Sequence, residues 1–159
     1  MNKLPSFDVA ESHKYFSADC FNRTWDFMDK PSRTADEGEE MLLTCMASLW
    51  HWSQREDVTA QNFSVGYWQA SRVFALLGKA DEARRYAQKS LEKSRGLAPF
   101  YEGYAYEALA RSEAVAGNHE KMKEYLAQAR KLSETVKDEE SKKLLSGDLD
   151  QINSLKGRP

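Results

Sequence analysis

The chain has 159 residues, the size of about one domain, and 41% of them are hydrophobic, enough to bury a sizeable core. Lys and Arg number 23 against 25 Asp and Glu, a net charge of −2 with a pI near 6.0, which argues against a dedicated binder of nucleic acid or anionic membranes. No apolar run reaches the roughly 20 residues of a membrane span, and Met1 to Phe16 lacks the basic-then-apolar order of a signal peptide, so a cytoplasmic protein is expected.

Apolar residues recur with helical period and no window sustains strand alternation. This predicts an all-α chain of about seven helices, at 8–29, 35–55, 60–77, 81–95, 99–116, 119–135 and 139–154. On the first, His13 and Cys20 share a face but lie about 10 Å apart along the axis, too far for a direct nucleophile pair. The second opens with Thr34 and Glu37 in capping-box spacing. Its run from Met41 to Trp52 is apolar nearly all round, as expected of a central helix.

One stripe of that helix dissents. Thr44, Ser48, His51 and Arg55 fall at i, i+4, i+7 and i+11, and a buried polar group without a partner costs about 1–3 kcal/mol. His51 is therefore either a structural histidine satisfied by a neighbouring side chain, or a functional base or ligand contact with Asn22 or Glu107 nearby.

The third helix carries Trp68, Arg72 and Ala75 on one face, and the fifth, with Pro99 at its first turn, carries Tyr104, Glu107 and Arg111. Two arginines and a carboxylate interleaved with Trp and Tyr would make an amphipathic groove for a carboxylate-bearing peptide or small acid. The bland alternative is a core aromatic pair beside an ordinary i,i+4 ion pair between Glu107 and Arg111. On the fourth helix, Arg84, Arg85, Lys89, Lys93 and Arg95 stand against Asp81, Glu82 and Glu92, which reads as a solvated face. Asp138, ahead of Glu139, Glu140 and Ser141, suits the start of the last helix. Gly78, Gly96 and Gly117 fall where apolar periods stop, as helix C-caps do. The short links between helices require antiparallel neighbours, hence stacked helical hairpins.

No metal or cofactor is expected. His13, His51 and His119 are scattered, none has His or Cys at i+3 or i+4, and phosphate-loop, GxSxG and HExxH patterns are absent. Cys20 and Cys45 belong to no CxxC or CxxH pair and read as small buried residues.

Shifting the sequence against itself by 39 residues sets Gly117 on Gly78, Tyr125 on Tyr86, Arg111 on Arg72, Ala114 on Ala75 and Tyr106 on Tyr67. The stretch from Phe74 to Glu92, with Gly78, Asp81, Glu82, Ala83, Tyr86 and Leu91 closely spaced, resembles the turn and second helix of a tetratricopeptide repeat. The second copy departs from that pattern with Met122 in place of alanine and Glu113 in place of an aromatic residue, and the family's proline after the second helix has no counterpart. The period also exceeds the usual repeat of about 34. The resemblance covers roughly residues 60 to 135; the segments around Trp50, Arg72 and Tyr106 are also similar to small bacterial helical proteins, which adds no activity.

The resemblance implies a right-handed stack of hairpins over a single domain, 1–159. An amino-terminal helical pair (1–58) would precede two repeat hairpins (59–135), closed by a capping helix and tail (136–159). It also implies a concave face formed by Val65, Trp68, Arg72, Tyr104, Glu107 and Arg111. The function expected is therefore a protein- or peptide-binding module, whose partner is another protein or a second copy of the chain. The alternative is a small-molecule receptor or enzyme with a closed polar pocket around His51, Arg72, Glu107 and Arg111.

Overall fold

The computed structural model describes residues 6–155. The regular elements among them are α-helices: α1 (Val9–Met28), α2 (Ala35–Ser53), α3 (Ala60–Leu76), α4 (Ala80–Ser94), α5 (Pro99–Ala116), α6 (His119–Thr135) and α7 (Glu139–Ser154). The chain is all-α, built of stacked helical hairpins, and the expected helix ends fall within two residues of the observed ones. The outermost parts of the expected domain bounds, 1–5 and 156–159, lie outside the described residues.

Local chemistry sets these boundaries. Thr34 and Glu37 form the expected reciprocal capping box, and Thr59 with Asn62 forms a second one that the sequence reading missed, since Asn62 stands where Glu or Gln is the usual partner. Asp138 accepts from the Ser141 amide, and Pro99 occupies the first turn of α5. Gly78 and Gly117 both take positive φ, 71° and 75°, where a side chain would be strained. Around each, the same pair of backbone bonds closes the helix: Gly78 N–H to Ala75 O and Lys79 N–H to Phe74 O, then Gly117 N–H to Ala114 O and Asn118 N–H to Glu113 O.

The same 39-residue offset recurs in the packing. Tyr67 meets Tyr86 with ring centroids 6.0 Å apart and Tyr106 meets Tyr125 at 6.2 Å, so each aromatic pair bridges the two helices of its own hairpin. Small residues let α3 and α4 approach closely. Ala83 and Ala87 are fully buried, Ser71 Oγ donates to Ala83 O at 2.8 Å, and Ser90 Oγ donates to Ser64 O at 2.9 Å. Glu113, which stands where the resemblance wanted an aromatic residue, is buried and clamped by Arg84 through Nε–Oε1 and Nη2–Oε2 contacts of 2.6 and 3.1 Å. The long cations of α4 lie over aromatic rings of the same hairpin, Lys89 over Tyr67 and Lys93 over Phe63.

The central helix is α5, which packs on α3, α4, α6 and α7, and not α2. Helix α2 packs on α1 and α3 and leaves Leu43 and Trp50 more than half exposed. The centrality of α5 is hidden in its sequence because, apart from Leu109, its inward residues are small or charged: Gly103, Ala105, Glu107, Ala108, Ala110, Arg111, Ser112 and Glu113 are all buried. Gly103 brings α7 close. A Cβ there would stand 2.7 Å from Leu145 Cδ2, and α7 seats Leu145, Leu149 and Ile152 against Ala110, Met122, Leu126 and Ala129.

Candidate functional site

The polar stripe of α2 is a seam with α1. Thr24 Oγ1 donates to Thr44 Oγ1 at 3.1 Å, Ser48 Oγ to Ser17 O at 2.8 Å, Arg55 Nη1 to Ser17 Oγ at 2.9 Å, and His13 Nδ1 meets His51 Nδ1 at 2.8 Å. From Thr44 through Ser48 to His51 the numbers rise on α2 while they fall on α1 from Thr24 through Ser17 to His13, the signature of an antiparallel pair; Arg55, just past the end of α2, reaches back to Ser17. His51 is thus partnered by His13, and neither Asn22 nor Glu107 is its partner. The signal was present in the sequence: Thr24, Ser17 and His13 are spaced by seven and four, so they too share one helix face.

A hydrogen bond between two Nδ1 atoms needs a hydrogen on one ring and a lone pair on the other, so it fails when both rings are protonated. Burial, reinforced by the neighbouring His13, holds the His51 pKa below the ordinary imidazole value. The unfolded chain then binds more protons than the folded one, so stability rises with pH across this window and falls on acidification through about pH 6.5. Melting temperatures measured from about pH 7.5 to 5.5 are expected to fall, and to fall less steeply in His51→Asn. Identical slopes in both proteins would contradict this assignment.

Around Glu107 the structure closes a buried network instead of opening a groove. The Glu107 side chain is fully buried and accepts from Trp68 Nε1 at 2.8 Å, Arg72 Nη1 at 3.2 Å and Arg111 Nε at 2.7 Å. Arg111 Nη2 lies 2.7 Å from the same carboxylate oxygen, but without the angle of a hydrogen bond, and finds no other partner among the described residues. Trp68 and Glu107 are themselves 39 residues apart, so equivalent positions of the two hairpins meet across the α3–α5 contact. Arg72 and Arg111 spend their hydrogen bonds on Glu107, which corrects the expectation that they face a shared open groove. A pocket uniting His51 with Arg72, Glu107 and Arg111 does not form either, because His51 belongs to the α1–α2 seam.

Trp68 also lines a cavity of about 240 Å³ between α1, α3, α4, α5 and α7. Of the expected site residues it brings together Val65, Trp68 and Tyr104. To these it adds Phe21 and Trp25 from α1, Phe100 and Tyr101 from α5, and Leu144 and Asp148 from α7. Trp25 leans on Trp68 with centroids 5.7 Å apart, Trp68 meets Tyr104 edge to face at 5.3 Å, and Phe100 meets Tyr104 at 5.0 Å. Asp148 is the charged residue of the wall, and it accepts from the Tyr104 hydroxyl at 2.8 Å. Burial, and then the charge of Asp148 and the hydrogen bond to it, raise the Tyr104 pKa, so the phenol stays protonated and donating.

Comparison with known protein families, curated proteins and solved structures finds no match for this chain. The site therefore rests on its own geometry. The two thiols fit their expected place: Cys20 and Cys45 are unpaired and buried, and burial pushes Cys45 up to about 12, far from a reactive thiolate. Among the described residues no group of three His, Cys, Asp or Glu side chains converges, and no helix is long and apolar enough to cross a membrane.

Phe21, Trp25, Leu144 and Asp148 were missed by the sequence reading because they come from helices outside the stretch that carries the 39-residue offset, and Phe100 and Tyr101 because they stand in the first turn of α5, ahead of the stripe from Tyr104 to Arg111. A partial signal existed in Phe21 and Trp25, which stand at i and i+4 on α1 beside the buried stripe of Ser17 and Thr24.

Proposed function

We propose that this chain is a protein- or peptide-binding module of the helical-repeat kind, and that it binds through the aromatic cavity between α1, α3, α4, α5 and α7. The observation that carries this reading is the cavity wall itself: six aromatic side chains converge on one concavity, with exposed Leu144 at its rim. Concave, mostly apolar sites with a few placed polar groups are the usual form of a recognition pocket. At about 240 Å³ it is smaller than a pocket for a drug-sized molecule, of roughly 300–1,000 Å³, and suits one side chain of a partner. The tetratricopeptide-like resemblance supports the same place, since first helices of such hairpins line the binding face and α3 and α5 supply Val65, Trp68 and Tyr104. The free, buried thiols support a cytoplasmic setting for this module.

Filling the cavity tests the reading. Val65 lines it and is only half-buried, so Val65→Phe occupies the space without opening a hole elsewhere. Peptides selected from a random phage library on the wild-type protein are expected to lose at least about tenfold in affinity for Val65→Phe, provided circular dichroism shows the variant folded. Selected peptides that bind both proteins equally would remove the cavity as the recognition site.

A further inference from the structure

Within the binding reading above, on which this inference rests, we propose that the group the cavity recognises is an alkylated ammonium, carried by a cationic side chain of the partner. Quaternary and methylated ammonium groups have a large apolar surface and a positive charge that no strong hydrogen bond can satisfy. They are held best where several aromatic faces surround them and an anion stands near. The cavity has that composition. Trp25, Trp68, Phe100 and Tyr104 all line it, with rings at mutually inclined angles, from 33° between the two indoles to 77° between Trp68 and Tyr104, so they do not form a flat stack. Asp148 is the charged member of the lining, and neither Lys nor Arg belongs to it.

Two wall rings are also electronically prepared for a cation. Trp68 donates its indole hydrogen to Glu107, and Tyr104 donates its hydroxyl hydrogen to Asp148. Donation to an anion shifts electron density into the donor's ring and makes its face more negative, which strengthens attraction for a cation placed over it. Arg72 and Arg111 oppose a cation electrostatically, and Arg72 stands near enough to Asp148 and Tyr104 to interact with both; yet each arginine donates to Glu107 and neither lines the cavity. A carboxylate ligand, by contrast, would meet Asp148 and no exposed cation.

The probe is choline, compared with its carbon isostere in which a tert-butyl group replaces the trimethylammonium. The two have nearly the same shape and differ in charge. Tryptophan emission reports binding directly because Trp25 and Trp68 wall the cavity, and titration calorimetry gives the affinity. Choline is expected to bind the wild-type protein at least about tenfold more tightly than the isostere, and to lose about tenfold in Asp148→Asn, which keeps the shape of the carboxylate and removes its charge. Equal affinity for both probes, or no binding of either, would overturn the proposal while leaving peptide binding through an apolar cavity to stand on the phage experiment.

A short glycine-flanked peptide bearing trimethyllysine, against the same peptide with unmodified lysine, identifies the source. Preferential binding of the methylated peptide supports the proposal as stated. Binding of choline without either peptide would overturn the side-chain source and make the site one for a free small molecule, which also counts against the peptide-binding reading.

Discussion

Replacing Glu107 with alanine is expected to destabilise the protein by about 3–5 kcal/mol, far beyond the roughly 0.3–0.5 kcal/mol of an exposed i,i+4 pair with Arg111. The difference comes from burial. Glu107 is fully buried, the side chains of Arg111 and Arg72 are 8% and 16% exposed, and water cannot rehydrate the guanidinium groups once the carboxylate is gone. The alanine variant also leaves the Trp68 indole N–H without its acceptor, so three donors on two helices lose one partner at once. Glu107→Gln keeps an acceptor in place and removes only the charge, and should lie between wild type and the alanine variant. Urea unfolding followed by circular dichroism measures both. A loss under about 1 kcal/mol for Glu107→Ala would show that the network is solvated and contributes no more than a surface pair.

The second large effect concerns α7. Leu149 is fully buried among Ala110, Met122, Leu126 and Ala129, and Leu149→Ala should cost about 2–5 kcal/mol through lost burial and the cavity left behind. The expected consequence reaches the proposed site, because α7 is the helix that delivers Asp148 to Tyr104 and Leu144 to the rim. Amide hydrogen exchange should quicken across Glu139–Ser154 more than across α3 and α4, since α7 packs on α5 and α6 alone. Uniform acceleration throughout the chain would instead indicate that α7 unfolds only with the whole protein.

The helices and their ends follow from local chemistry written in the chain. The capping box at Thr34, the first-turn proline at 99, the Asp138 cap and the left-handed glycines at 78 and 117 act within a few residues, so their effect does not depend on what the helix later packs against. The 39-residue offset was legible for the same reason, as a local pattern stated twice. Trp68 and Tyr104 reached the cavity from the stripes of α3 and α5 that helical period defines, whereas Val65 was expected only through the resemblance.

Which stripes face each other was settled by packing. It paired His51 with His13, turned Arg72 and Arg111 onto Glu107, made α5 central in place of α2, and brought residues 25 and 148 to the same wall. Helical period assigns a side chain to a face but carries no information about the neighbour that face will meet. Those contacts depend on helix crossings set by small residues such as Gly103 and Ala83 and on the docking of α7. Glu107 shows the physical reason most plainly: its spacing to Arg111 is that of a solvent-exposed pair, and only the packing of α3 across it removes the water that would have made it one.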